Sequence, residues 1–273
     1  MEPLKNVVQA LRAKKSLGQH FLTDPHILKR IVESAGPLNN TTVIEVGPGP
    51  GGLTREILAH PYKDLFLIEQ DERCLPHLEK LKEPGPGKLT ILQGDALLLP
   101  LHTLGQAPRK IISNLPYNIS VPLLLQWLEH IDAFENLTLM FQKEVAARLT
   151  ASPNTPDYGR LSVMCQWRTQ VTKLFDLPPG AFVPPPKVAS TVVQIVPSTP
   201  YNAVSWRALE HVTKAAFSKR RKMLRSTLKG LLSASQLEHL QIDPTRRAES
   251  LSVQEFCTLA AYWEKECATA SSP

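Results

Sequence analysis

Between residues 24 and 150, short apolar runs alternate with amphipathic stretches. The segment DPHILKRIVESA (24–35) reads as a helix, with Asp24 suited to its N-cap, Pro25 to its first position and Gly36 to its stop. TTVIEV (41–46), DLFLIE (64–69), KLTILQ (88–93), RKIIS (109–113) and NLTLMFQ (136–142) read as strands. GGLTREILAH (51–60), residues 71–81, SVPLLLQWLEHI (120–131) and KEVAARLT (143–150) read as helices. This rhythm predicts an α/β fold, a mostly parallel sheet with helices on both faces.

The pattern changes after residue 150. LPPGAFVPPPKVAS (177–190) holds five prolines and one glycine, so it is extended or turning. STVVQIV (190–196) is a further strand. From about residue 203 the chain reads as helices only, among them VSWRALEHVTKAAF and VQEFCTLAAYWEKECA. The expected division is a main α/β domain over residues 1–200 and a small all-helical domain over 201–273.

Composition narrows the class. Of 273 residues, 42% are hydrophobic and 21% charged, as in an ordinary soluble globule. No apolar run approaches 18 residues, so no membrane association is expected, and the N-terminal stretch lacks a secretory h-region. Cys74, Cys165, Cys257 and Cys267 are scattered, which argues against a metal site or a disulfide framework and for a reducing cytoplasm. The formal net charge is +6, from 31 basic and 25 acidic residues. Residues 217–229 alone carry Lys219, Arg220, Arg221, Lys222, Arg225 and Lys229 without one acid. Such a stripe fits a polyanion, nucleic acid above all, and the alternative is a solvated helix face.

Three strand ends carry the candidate chemistry. VIEVGPGPGGLT (43–54) sets Gly47, Gly49, Gly51 and Gly52 between a strand and a helix, where backbone can approach a ligand closely. Gly47-x-Gly49-x-x-Gly52 fits a dinucleotide fingerprint, and Glu45-x-Gly47-x-Gly49-x-Gly51 fits S-adenosylmethionine methyltransferases. Glu69 closes the next strand, 22 residues after Gly47, where a carboxylate can accept both ribose hydroxyls. Asp95, past the third strand, can take the adenine amine of a cofactor or cap the following turn. Together they predict an adenosine-type cofactor without naming its chemistry.

Asn114-Leu115-Pro116-Tyr117, after the fourth strand, separates a hydride from a methyl group. An exocyclic amine on a purine is a poor nucleophile, because its lone pair is delocalised into the ring. Two acceptors, the Asn114 amide oxygen and the Leu115 carbonyl, can bind its two hydrogens and favour a pyramidal nitrogen. Pro116 stiffens the turn and Tyr117 offers a ring face to the base.

NLPY behind such a glycine loop resembles the KsgA-type family of ribosomal RNA adenine dimethyltransferases, which also contains the Erm enzymes. KKSLGQHFL (14–22), YGRLSVMCQ (158–166), AFVPPPKVAS (181–190), AFSKRRKMLRSTL (216–228) and RRAESLSVQEF (246–256) resemble further family segments, so the likeness runs from about residue 14 to 263. It implies a class I, Rossmann-like methyltransferase domain with a small helical C-terminal domain, and S-adenosylmethionine as co-substrate without a metal. It implies cofactor contacts from His20, Leu22, Gly47, Gly49, Glu69, Asp95 and Asn114, and stacking of the target adenine on Tyr117 and Phe182. The family commonly has Asn where this chain has His20. The implied substrate is two adjacent adenosines in a hairpin loop near the 3′ end of small-subunit ribosomal RNA, each dimethylated, on a pre-30S particle, by a monomer. Lys219, Arg220, Arg221, Lys222 and Arg225 would then hold phosphates. An Erm-type enzyme acting on large-subunit RNA is the nearest rival. An RNA-binding assembly factor whose methylation is secondary has no need of Glu69, Asp95 and NLPY together.

Overall fold

The computed structural model describes all residues except 1, 12, 15–17, 83–84, 200–203 and 271–273. Lys15, Ser16 and Leu17 of the N-terminal motif, and the expected boundary at 200/201, therefore lie outside the described residues. The chain runs α1 (Leu4–Leu11), β1 (Phe21–Leu22), α2 (Pro25–Ser34), β2 (Thr42–Val46), α3 (Gly52–Leu58), β3 (Asp64–Glu69), α4 (Leu75–Glu79), β4 (Lys88–Gln93) and β5 (Arg109–Ser113). It continues through α5 (Tyr117–Glu129), β6 (Asn136–Gln142), α6 (Lys143–Leu149), α7 (Arg160–Gln166), β7 (Thr169–Leu177), β8 (Phe182–Val183) and β9 (Ser190–Pro197). The last helices are α8 (Trp206–Ala216), α9 (Leu224–Thr227), α10 (Ala234–His239) and α11 (Val253–Ala270).

Residues 1–146 and 172–197 form one compact unit, and 147–171 with 198–273 form a second. In the first, seven strands line up as β4-β3-β2-β5-β6-β9-β7. β2 pairs in parallel with both β3 and β5, and β5 with β6, while β9 runs antiparallel to β6. All five β2 positions are buried, as befits a central strand covered on both faces. The chain builds outward from β2 through β3 to β4, then returns to lay β5 on the other side. The strand order thus reverses between β2 and β5, and the crevice beyond their C-terminal ends is the place for a ligand.

α2 is capped as its sequence requires: the Asp24 carboxylate accepts the amides of His26 at 2.9 Å and Ile27 at 3.3 Å. Its other end is held by the sheet. Lys110 of β5, 2% exposed, donates to the carbonyls of Ala35 at 2.9 Å and Pro37 at 2.8 Å. Asn136 of β6 and Gln194 of β9 bond Ala35 and Ser34. These side chains satisfy carbonyls that a helix end leaves without intrahelical partners.

Four expectations change. The helix expected over 71–81 shrinks to Leu75–Glu79, because Pro76 has to stand in the first turn. α5 begins at Tyr117, three residues before the expected start, and carries Pro122 inside. The basic stretch is not a helix throughout: residues 218–223 turn, Met223 bridges Arg247, and only Leu224–Thr227 is helical. Residues 147–171, expected in the first domain, belong to the second unit, where α7 packs against α8 and α11. Arg160 there pairs with Glu210 at 2.7 Å, and Thr213 donates to Met164 Sδ. No composition break near 147 marks that change of partner.

Lys110→Met keeps most of the side chain's volume but removes the donor to the Pro37 carbonyl and leaves the Ala35 carbonyl to Asn136 alone. The expected loss of stability is about 2 kcal/mol, read as a lower urea midpoint at unchanged slope.

Candidate active site

A cavity open to solvent lies at the C-terminal ends of β2, β3 and β5. Its walls include Gly47–Pro50, Glu69, Asp95, Asn114–Tyr117, His20 and Leu22. The fold brings together nearly every cofactor and acceptor residue expected from the sequence.

The glycines are required by conformation and by space. Gly47 and Gly49 have φ of +67° and +54°, a region that side chains disfavour. A Cβ on Gly49 would stand 2.9 Å from the Phe21 ring, and one on Gly47 would stand 3.3 Å from Pro116. Glu69 holds this loop: its carboxylate accepts the Gly49 amide at 2.8 Å through Oε2 and the Asp71 amide at 2.8 Å through Oε1. Burial raises the Glu69 pKa; the Asp71 and Gly49 amides oppose the rise and the Asp71 charge adds to it.

Glu45 lies beside it on β2, 2% exposed, taking a 2.7 Å hydrogen bond from Thr54 Oγ1. Burial pushes its carboxyl up to about 8, with Thr54 pulling down and the Glu69 charge pushing further up. The sequence marked Glu45 as part of a motif without giving it a role, although an acid inside an apolar strand was the available signal. Asp95 serves the turn and the cavity together. One oxygen accepts the Leu97 amide at 2.9 Å, capping residues 96–98, while the side chain lines the wall.

The acceptor side is built on Asn114. Its Nδ2 donates to the His20 carbonyl at 3.1 Å, which leaves the amide oxygen as the atom free to accept. Tyr117, the first residue of α5, has its hydroxyl 2.6 Å from Ser190 Oγ. Its ring stacks on the His20 imidazole, with centroids 5.6 Å apart and planes at 29°. Leu22 pairs with Phe182 across the short β1–β8 ribbon, and both are buried.

Two of the expected site residues have partners within the protein. Phe182 is 2% exposed, packs in the hydrophobic core and is not among the residues that line the cavity. Its place opposite Leu22 is that of a core ring. Arg220 is occupied: its guanidinium donates to the Pro156 carbonyl and reaches Glu249 at 3.4 Å. Lys219, Arg221, Lys222 and Arg225 are exposed in the second unit. Among the described residues no cluster of three metal-ligating side chains exists, and no helix is long and apolar enough to cross a membrane.

The family profile described as ribosomal RNA adenine dimethylase matches residues 10–265. The chain belongs to that family. A Sinorhizobium medicae relative, ribosomal RNA small subunit methyltransferase A, is 50% identical over 95% of this chain and 97% of its own. The protein of the same name from Rhodospirillum rubrum is 49% identical over 95% and 92%. The crystal structure of a dimethyladenosine transferase from Plasmodium falciparum superimposes with a TM-score of 0.77 at 26% identity, covering 91% of this chain and 98% of that one. The 23S rRNA methyltransferase ErmE reaches 0.66 at 22% identity, covering 89% and 99%, a likeness of fold alone.

S-adenosylmethionine fits what the dimethylase presents. The glycine cradle has no room for side chains, and two buried acids line a cavity that a cationic ligand suits, since its charge offsets their desolvation.

Glu45 also links folding to pH. Its carboxyl, at about 8 in the folded protein against an ordinary 4.5, holds a proton that the unfolded chain releases. Its contribution is fully present below pH 4.5 and is lost as pH rises through about 8. The melting temperature of the cofactor-free enzyme should therefore fall over that window, and Glu45→Gln should flatten the slope. An equal slope in the variant, by calorimetry, would assign the dependence to another group.

Proposed function

We propose that this dimethylase converts two adjacent adenosines near the 3′ end of small-subunit ribosomal RNA to their N6,N6-dimethyl forms. The reading extends to a pre-30S particle as substrate, a monomeric enzyme and a cytoplasmic setting. The observation that carries it is the Asn114 amide in the cavity wall, which is oriented by one N–H on the His20 carbonyl and whose oxygen is left for an acceptor amine. The names of the relatives point to the small subunit, whereas the likeness to ErmE concerns the fold.

S-adenosylmethionine supplies a methyl group made electrophilic by its sulfonium. Glu69 would accept the ribose hydroxyls, Asp95 the adenine amine, and the Gly47–Gly49 backbone would lie along the cofactor with the His20 main chain and Leu22 near it. On the acceptor side, the Asn114 oxygen and the Leu115 carbonyl would each take one N6 hydrogen. That orients the lone pair and favours a pyramidal nitrogen. Once methylated, the nitrogen is strongly acidic and loses its proton to water, so no strong base is needed. The monomethylated amine keeps one N–H, and one acceptor then suffices for the second transfer. Positioning and fixed dipoles carry the rate. Single-stranded loop bases can be splayed into such a cavity, and Lys219, Arg221, Lys222 and Arg225 would hold phosphates without reading sequence.

Labelled S-adenosylmethionine, offered with under-methylated 30S particles, 50S particles or free RNA, tests the substrate once the modified bases are mapped. Label on 50S alone would replace this reading with the Erm-type one. Asn114→Ala should lower turnover by about 10²–10³-fold with little change in cofactor affinity. Wild-type turnover in that variant would remove the amine clamp. Removing Arg221, Lys222 and Arg225 should shallow the salt dependence of RNA binding by roughly 0.7–0.9 in log–log slope for each phosphate no longer neutralised. An unchanged slope would place the RNA elsewhere.

A further inference from the structure

The family resemblance puts residue 20 on the cofactor side, and the geometry of its side chain points the other way. His20 is half-buried in the cavity wall, with Nδ1 2.8 Å from the Pro184 carbonyl. A carbonyl only accepts, so Nδ1 carries the hydrogen. The neutral ring then has no second N–H to offer a cofactor, and its Nε2 is an acceptor. An asparagine, the family's common residue here, would keep a two-hydrogen donor and a carbonyl. The imidazole can therefore only accept at Nε2, whereas an asparagine could donate as well.

What the imidazole does touch belongs to the methyl acceptor. Its face lies 5.6 Å from the Tyr117 ring at 29°, within the range of an offset aromatic stack. Tyr117 is thereby held at three points: by the backbone at the start of α5, by its hydroxyl on Ser190 at 2.6 Å, and by one ring face on His20. Only the other face is left for a base. The Pro184 bond ties the same imidazole to the strand-end segment after β8, whose Val183 pairs with Phe21. The main chain of His20 contributes separately, because its carbonyl orients the Asn114 amide. That bond survives substitution of the side chain, so mutants isolate the imidazole.

We propose that His20 is a positioning residue for the target base: bonded to Pro184 and stacked on Tyr117, its ring fixes the aromatic face on which the base lies, and it acts on turnover rather than on cofactor affinity. The inference rests on the acceptor roles of Asn114 and Tyr117 proposed above. It adds a positioning element for the acceptor base to those two residues.

The test uses the full-length enzyme with saturating S-adenosylmethionine and under-methylated 30S particles, in single-turnover mode, beside cofactor Kd by calorimetry. His20→Ala should slow methyl transfer roughly 10–30-fold, the combined size of one aromatic stack and one hydrogen bond, with Kd within about threefold. His20→Phe keeps the stack and His20→Asn keeps a donor. Each should recover part of the rate, which also covers the case in which the alanine variant fails to fold. A Kd weakened about tenfold with an unchanged rate at saturation would make His20 a cofactor ligand and overturn the proposal. Wild-type rates in all variants would overturn it too. Nitrogen-15 spectra of the labelled imidazole should show the Nδ1–H tautomer, and an Nε2–H tautomer would remove the Pro184 bond on which the inference stands. Failure of the wild-type enzyme to label any ribosomal substrate tells against the functional reading itself, whereas the variants and the tautomer judge His20.

Discussion

The reversal of strand order between β2 and β5 is the constraint on which the site depends. Two parallel strands that lead their chains to opposite sides leave a crevice at their C-terminal ends, and no loop from the same edge crosses it. β2 ends there in the Gly47–Gly49 loop, and β5 ends there in Asn114. A hydrogen bond from Ser113 Oγ to the Val46 carbonyl, 2.5 Å long, ties the two strand ends together. Cofactor loop and acceptor clamp are thus set by one piece of sheet. The reacting groups need that kind of fixity, because methyl transfer to a weak nucleophile is won by alignment.

The electrostatics of the crevice follow from which strands end in acids. Glu45 and Glu69 are both desolvated, and Glu45 accepts from the neutral Thr54 hydroxyl, whereas Glu69 takes backbone amides through both oxygens. Burial raises both carboxyls, and these hydrogen bonds oppose the rise in each. Asp71 behaves in the opposite way. Arg73 pairs with it at 2.5 Å and Gln19 donates to it at 3.0 Å, so its carboxyl is held well below the usual carboxylate range despite burial. The three acids stand within three residues of a strand end or in the strand beside it, and their partners alone set them apart.

Much of this was legible as text. The glycine spacing, an acid closing the second strand, an acid beyond the third and NLPY after the fourth are local patterns. Local patterns survive because each residue's role follows from its place at a strand end. Features that the local pattern leaves open depend on distant partners. Phe182 is seen in the sequence as a ring in a proline-rich stretch, and only pairing with Leu22 buries it. Arg220 reads as one more cation of a basic run until the Pro156 carbonyl and Glu249, remote in sequence, take it up. The segment 147–171 has no compositional edge, and its membership of the second unit is decided by side chains on α8 and α11.

By itself the sequence determined the order of strands and helices from α2 to α6, the adenosine-type cofactor loop and the nature of the acceptor. These rest on hydrophobic periodicity, backbone freedom at glycine and side-chain chemistry, all of which act over a few residues. Only the tertiary structure decided which atom of Asn114 remains to accept, which face of Tyr117 is covered and what His20 touches. Those outcomes depend on hydrogen bonds and stacking between residues far apart in the chain, such as His20 and Pro184. Their geometry exists only once the sheet has brought the strand ends together.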